Sequence, residues 1–489
     1  SAVQSQPANM AMYEALCRQL DVDNFITYLL ANWFCGNHDW PHKNWYATHR
    51  NHPDGRWRFH SWDAEHVLEG SNDVGKSPSD IHNKLKGNAE YSLRFADHIH
   101  RYFFNGGVLS HPNAANMYAA RVAEIDRAIV GESARWGDNR KSVPYTRQDW
   151  LNVQNSRVLN SFFPGRSTTV LGWLKNAGLY PNVEAPVFRI NSSYQQGGLI
   201  SKNSSFSMTA PTGTMWYTLD GSDPRAPGSS RSTGGISPTA IRYTSPITLT
   251  HSTHIKARVL NVSTWSALNE AVFAVGPVAE NLRISEMMYH PPRVEGVPPS
   301  DVGQDANDPN EEFIELTNIG TQAINLNLVR FTNGIDFTFP SIDLAPGQYA
   351  VIVQDRSAFE ARYGTNVNIA GQYSGQLNNA GERITLTDAA GQTILDFKYS
   401  DGWRSLSDGE GFSLTVINPA DPDLGSWDHK DAWRASAYAG GSPGQDDSGI
   451  IPNPGSIVIN EVLAHAHANA SDWIELYNTA GTAINIGGW

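Results

Sequence analysis

Gly36-Asn-His-Asp39-Trp-Pro-His-Lys-Asn44-Trp-Tyr46, followed by Trp57-Arg-Phe-His-Ser-Trp62-Asp63-Ala-Glu65, is the stretch on which the reading of this chain turns. Asp39 and Asn44 lie five residues apart. Both are turn formers, because short polar side chains bond the nearby backbone. Two apparent strands follow, Trp45–Thr48 and Arg56–His60, and a second acid stands just past them. The surroundings are helical. Met12, Leu16, Leu20, Phe25, Leu29 and Trp33 recur at mostly three- and four-residue steps in Met10–Trp33, the spacing of one helix face. Residues 86–106 and 113–130 read the same way, and 147–178 look like two further helices. Gly178 with Pro181 just beyond is a normal stop.

The texture changes near residue 185. From 186 onward short alternating strands are split by Gly, Pro, Asn and Asp turns. Trp216-Tyr-Thr-Leu-Asp-Gly runs into an Asp-Gly turn, and Ile255-Lys-Ala-Arg-Val-Leu260 alternates inward and outward residues. An internal repeat follows. Leu282-Arg-Ile-Ser-Glu286 resembles Ile457-Val-Ile-Asn-Glu461, and Phe313-Ile-Glu-Leu-Thr-Asn318 resembles Trp473-Ile-Glu-Leu-Tyr-Asn478. The first pair is offset by 175 residues and the second by 160, so the first copy carries 15 extra residues in the loop between its opening strands.

Bulk composition narrows the function classes. The length of 489 residues fits about three or four domains. Only 17% of residues are charged, while 42 Gly, 27 Pro and 15 Trp point to turn-rich β structure. The net charge of -13 and the lack of a basic stripe argue against nucleic acid as a partner. The acidic balance suits divalent cations. No apolar run reaches the ~18 residues of a transmembrane helix. Cys17 and Cys35 read as two buried thiols, with a disulfide as the alternative. The chain starts at Ser1 without a signal peptide and stops at Trp489 within the second repeat copy, so truncation at both ends is expected.

The layout around Asp39 suits phosphoryl transfer. One carboxylate accepts the attacking hydroxyl's proton, while an amide oxygen and another carboxylate hold Mg²⁺ against nucleotide phosphates. Asp-x-x-x-x-Asn has the spacing of a protein-kinase catalytic loop. Asp63 stands where a metal-binding Asp would, and Glu65 adds an oxygen. Hard oxygen donors suit Mg²⁺ or Mn²⁺. The bland alternative makes Asp39 and Asn44 turn formers and Asp63 a paired acid. Zinc is another option, since His38, His42, His49, His52, His60 and His66 are dense, but no His-Glu-x-x-His or Cys pair accompanies them. A glycosidase using Asp39 and Asp63 as its carboxylate pair is a further option.

Gly36-Asn-His-Asp-Trp-Pro-His-Lys-Asn-Trp-Tyr and Trp62-Asp-Ala-Glu resemble the spore-coat-protein-H (CotH) kinase family over roughly residues 10–185. Members are atypical secretory or surface protein kinases. The resemblance implies ATP and Mg²⁺ as cofactors, Asp39 as catalytic Asp, Asn44 as metal-binding Asn and Asp63 as metal-binding Asp. Glu65 departs from the family's usual Asp, with a longer reach. No Gly-rich phosphate loop and no strand Lys precede Asp39, so the nucleotide-binding N-lobe is expected to be missing and this chain to be inactive alone.

Tyr217-Thr-Leu-Asp-Gly-Ser-Asp-Pro224 and Ile255-Lys-Ala-Arg258 resemble the small C-terminal sandwich of chitobiase/hexosaminidase type. Ile284-Ser-Glu286, Phe313-Ile-Glu315-Leu-Thr-Asn318 and Leu344-Ala-Pro-Gly347 resemble the lamin-tail domain, an immunoglobulin-like sandwich. Glu286 and Glu315, recurring as Glu461 and Glu475, read as strand-end acids bonded to a neighbouring loop, with ligand or Ca²⁺ contact as the alternative. Asp301, Asp305, Asp308, Glu311 and Glu312 are spaced closely enough for a Ca²⁺ loop, although the EF-hand spacing is absent and a solvated acidic loop is the simpler reading.

The expected fold is multidomain α+β: a mainly helical kinase-like C-lobe (1–185), then immunoglobulin-like all-β sandwiches. The second module spans 186–276, the lamin-tail-like module 277–445, a linker 446–455, and the start of a second lamin-tail-like module 456–489. The expected function is ATP/Mg²⁺-dependent phosphoryl transfer to protein hydroxyls by an exported bacterial protein, secreted or on the cell surface. The alternative is a non-catalytic extracellular scaffold or adhesion protein. Its partners are a protein substrate or surface ligand, not nucleic acid, with no membrane-spanning segment.

Overall fold

The apolar stripe of residues 10–33 belongs to two helices, α1 (Met10–Cys17) and α2 (Val22–Cys35), rather than one. The break has two causes. Asp21 caps α2 by accepting the Asn24 N–H at 3.0 Å. The backbone around Leu20 pairs with a strand instead: Trp57 N–H donates to Gln19 at 2.7 Å, and Asp21 N–H to Trp57 at 3.0 Å. That strand is β2 (Trp57–Ser61), antiparallel to β1 (Trp45–His49). The computed structural model describes all residues except 1–8, 140, 229–233, 293–309, 448–455, 466–470, 482–483, 485 and 487–489.

The chain forms two compact units: residues 1–196, 205–247 and 254–271, and residues 197–204, 248–253 and 272–489. The first is built around α2. Phe25, Ile26, Leu29, Leu30 and Trp33 have no exposed surface. They pack in one core with Phe95 and Ile99 of α4 (Ala89–Phe103) and with Val170 and Leu174 of α7 (Phe163–Asn176). Each such side chain contributes about 1.5–3 kcal/mol on burial. α3 (Ile81–Leu85) and α5 (Asn113–Trp136) flank them, and α6 (Arg147–Asn152) begins on a Thr146/Asp149 capping box. Residues 153–162 run on as a π-helix up to α7, whose Pro164 has no N–H to donate. In α5 the periodic apolar residues are not core: Met117 is 59% and Ile125 47% exposed. Cys17 and Cys35 are free and half-buried, so they form no disulfide and are less buried than expected.

Within the same unit, β3 (Thr214–Thr218) pairs with β4 (Thr253–Asn261), Arg258 standing opposite Trp216. Arg258 is 1% exposed. It uses all five N–H donors, two to Asp97 (2.7 Å each), two to Asp223 (2.8 and 2.6 Å) and one to the Ser266 carbonyl (3.0 Å). Arg225 grips Glu90 through both terminal nitrogens, and Gly228 N–H adds a bond to Glu90 at 3.0 Å. Thus α4 is bolted to the sandwich strands by two buried guanidinium–carboxylate assemblies.

The second unit contains β5 (Leu282–Met288), β6 (Phe313–Asn318), β7 (Arg330–Asn333), β8 (Phe337–Thr338), β9 (Tyr349–Val353), β10 (Ile369–Gln372), β11 (Arg383–Thr387), β12 (Thr393–Lys398), β13 (Leu414–Val416) and β14 (Trp433–Ala435). One sheet has the order β10-β9-β6-β5-β13-β14, the other β8-β7-β11-β12. Ile284, Ile314, Leu316 and Ile352 from the first share a core with Phe331, Leu386 and Phe397 from the second, and with Trp427 and Trp433. This is the two-layer logic of an immunoglobulin-like sandwich. β15 (Ile457–Leu463) and β16 (Trp473–Asn478) repeat the β5–β6 pairing, including the register shift just before Glu286 and Glu461. The whole is multidomain α+β, helical first and β-rich after. No helix among the described residues is long and apolar enough to cross a membrane.

Arg258→Ala leaves Asp97 and Asp223 without their shared cation. Removing one partner of a buried ion pair costs about 3–5 kcal/mol, so urea unfolding of the variant should show a loss of that order. A loss under about 1 kcal/mol would mean that water reaches the site.

Candidate functional site

The loop after α2 is set by a short chain of buried amides. Gly36 closes the helix at φ 65°, a left-handed conformation that glycine adopts without strain. Asn37, 1% exposed, donates its backbone N–H to the Asn32 carbonyl (3.0 Å) and its side-chain amide to Asn32 Oδ1 (2.9 Å). Asn32 in turn donates to the Tyr28 carbonyl (2.8 Å) and Ser61 Oγ (3.1 Å), which ties α2 to β2. Trp40 is buried edge-on against Tyr28, its ring N–H donating to the phenol oxygen, and precedes a cis Pro41. The side chains between must then face outward.

Asp39 is half-buried with both oxygens engaged. Lys43 Nζ lies 3.1 Å from Oδ1, and Asn44 Nδ2 donates to Oδ2 at 3.0 Å. The same amide reaches the Asp63 carbonyl at 3.4 Å, and Trp62 N–H donates to the Asn44 carbonyl at 3.3 Å. Asn44, 7% exposed, therefore joins the Asp39 loop to the end of β2. Asp63 sits at φ 50°, where Asp and Asn are tolerated better than most side chains. Glu65 and His66 follow, His66 Nε2 lying 3.4 Å from Glu65 Oε1. His38 holds this second loop, donating its N–H to the His66 carbonyl at 3.3 Å, with the two rings 5.1 Å apart.

The two acids are driven in opposite directions. The Lys43 ammonium beside Asp39, helped by the Asn44 amide, lowers its carboxyl below the usual range. Glu65, by hydrogen bond and by charge, raises the Asp63 carboxyl, and Asp39 adds to that effect. Sequence reasoning named Asp39, Asn44, Asp63 and Glu65, and the fold brings all four to one surface. It adds His66: ligand atoms of Asp39, Glu65 and His66 lie within 4.8 Å of one another. The Glu65-His66 dipeptide was a visible signal, but a histidine among six nearby ones does not stand out. Two carboxylates and one imidazole suit a small divalent cation, the nitrogen tilting the set from Mg²⁺ toward Mn²⁺ or a later metal.

Of the acidic loop in the second unit, Asp301, Asp305 and Asp308 lie outside the described residues. Glu311 pairs with Arg362, and Glu312, 5% exposed, accepts from Tyr373 OH (3.0 Å) and Leu377 N–H (2.8 Å). Both glutamates are thus committed inside the module.

Residues 2–133 match the family model described as CotH kinase protein, residues 205–266 the one described as Fn3 associated, and residues 277–401 the Lamin Tail Domain. The match in the middle module carries the Fn3-associated description rather than chitobiase/hexosaminidase. No curated protein matches the chain. A crystal structure of a DUF4876 family protein from Bacteroides thetaiotaomicron aligns at 8% identity over 48% of this chain and 83% of that one, with a TM-score of 0.19. The chain is a modular protein with a CotH-type region followed by Fn3-associated and lamin-tail regions.

Removing the perturbing partner should return each carboxyl to the ordinary range near 3.9. In carboxyl-carbon NMR titrations, Lys43→Met should move the Asp39 midpoint up and Glu65→Gln should move the Asp63 midpoint down. Midpoints that stay put in both variants would refute the electrostatic account of the site.

Proposed function

We propose that residues 1–185 of this modular protein act as the catalytic-loop side of a CotH-type phosphotransferase that uses ATP and a divalent cation to phosphorylate protein hydroxyls. The observation that carries the reading is the junction at Asn44, whose amide joins Asp39 and the Asp63 backbone in one surface cluster. Asp39 is the group that orients the acceptor hydroxyl and takes its proton. Lys43 lowers the Asp39 carboxyl further below its ordinary range, so its strength lies in positioning more than in basicity. Asp63 and Glu65 would hold the cation, with the Asn44 side-chain amide oxygen as a further donor and His66, which clusters with Asp39 and Glu65, beside them. When bound, the cation neutralises charge on the phosphoryl oxygens. As the acceptor oxygen bonds to phosphorus, the bond to the nucleoside diphosphate breaks and that group leaves with its electron pair. The β modules serve as accessory surfaces of a bacterial protein that is secreted or displayed on the cell, and the cell-surface setting supplies the protein acceptor.

One observation favours a second reading, a non-catalytic scaffold or adhesion protein. Both Asp39 oxygens are already taken by Lys43 and Asn44, as in a loop that only needs to be stable.

Thermal shift on full-length protein with ATP and Mg²⁺ or Mn²⁺ separates the two. A stabilisation of ~2.7 kcal/mol is expected at a hundredfold excess over Kd, and Asp63→Ala should abolish it. If neither protein responds, the kinase reading falls and the scaffold reading stands. A melting curve that Ca²⁺ does not move would remove calcium binding by the 301–312 loop.

A further inference from the structure

Glu286 and Glu315 stand directly opposite one another on β5 and β6, 0% and 1% exposed. Both reach the same segment, Gly440–Asp447, which follows β14. Glu286 Oε1 accepts the Ser442 N–H at 2.8 Å and Ser413 Oγ–H at 2.5 Å, and its Oε2 accepts Ser442 Oγ–H at 3.0 Å. Glu315 Oε2 accepts the Gly444 N–H at 2.6 Å, and its Oε1 accepts Ser285 Oγ–H at 2.6 Å. The strap lies so close that a Cβ on Gly441, at φ 80°, would run into Glu286 Oε1. Its far end is fixed by Asp447, which pairs with Arg434 and accepts the Ala437 N–H at 2.7 Å.

We propose that the two glutamates form a proton-operated clasp on this strap, closed while the pair carries a proton and released when both ionise. Every donor they meet is a serine hydroxyl or a backbone amide. No Lys, Arg or His side chain among the described residues bonds either one. The nearby charges make double ionisation harder. Asp447 is negative and adds to the burden on both glutamates, Arg434 is committed to Asp447, and Arg362 to Glu311. Tyr349 and Tyr363 face the pair as neutral phenols. Burial raises both carboxyls, Glu315 well above the ordinary range, with the Glu286 charge as its second cause.

The sign follows from linkage. A carboxyl whose closed-state pKa is raised holds its proton more tightly closed than open. Its contribution is full below the ordinary range near 4.3, falls as pH rises, and levels off once both groups ionise in the closed state. Release of one proton on opening makes the opening constant grow tenfold per pH unit within that window.

Hydrogen exchange of the Ser442 and Gly444 amides, followed on the whole chain from pH 5 to 9, tests this. Protection factors should fall about tenfold per unit over part of the range, while those of Ile352 in the same sheet stay level. Glu315→Gln, a neutral isostere, should flatten the dependence with the strap still protected. Glu286→Ala should leave the strap unprotected at every pH. Flat protection in the parent protein, or an unchanged slope in Glu315→Gln, would overturn the clasp. Should Glu315→Gln fail to fold, Glu286→Gln gives the same reading.

Discussion

Asn32 lies buried near the end of α2, and its amide has to find partners without water. Everything that makes the first unit's surface site follows from how that need is met. Asn32 takes Asn37 and Ser61 as partners, which fixes the turn at Gly36 and draws β2 against the helix. An unpaired buried amide would cost roughly 1–3 kcal/mol, so this geometry is strongly preferred to a looser one. With Asn37 held inward and Trp40 buried, Asp39 is left at the rim. Asn44 then meets both Asp39 and the Asp63 backbone. The acids converge because the neutral amides beneath them have only one good arrangement.

The same rule gives different outcomes elsewhere. Arg258 is as buried as Asn32 but charged, and it is matched by two carboxylates and a carbonyl, one acceptor for each N–H. That assembly is saturated and holds at any ordinary pH. Glu286 and Glu315 are buried like charges with no cation, met only by hydroxyls and amides. A saturated ion network acts as a bolt; an uncompensated acid pair acts as a clasp sensitive to protons.

The helices, the hairpin and the repeated β pairing were legible in the sequence because each depends on short-range periodicity. The repeat showed that Glu286 and Glu315 recur as Glu461 and Glu475, but the two offsets differ by 15 residues, so their cross-strand register came only from the structure, which shows the same bulge in both copies. What was not legible depends on contacts distant in the chain. The division between α1 and α2 comes from Leu20 bridging to Trp57, a pairing that no local pattern announces. The exposed apolar face of α5 looked like core because periodicity reports amphipathic character, not what lies opposite. His66 joined the site only because the loop after β2 folds back beneath His38. The buried position of Glu312 and the ion pair of Glu311 with Arg362 were hidden by an acidic local composition that suggested solvent.

The site's electrostatics bear on its chemistry. Two carboxyls on one small surface are pushed apart, Asp39 toward its ionised form and Asp63 toward its protonated one. Opposite shifts in neighbouring acids separate the two carboxyls by environment, Lys43 favouring charge on Asp39 and Glu65 disfavouring it on Asp63. A loop kept only for stability gains nothing from a crowded Asp63 and Glu65, because like charges side by side weaken it. A cation bound between them would remove that repulsion. On the proposed reading the crowding is what a bound cation relieves, and the Lys43 contact with Asp39 is where the protein supplies positive charge itself.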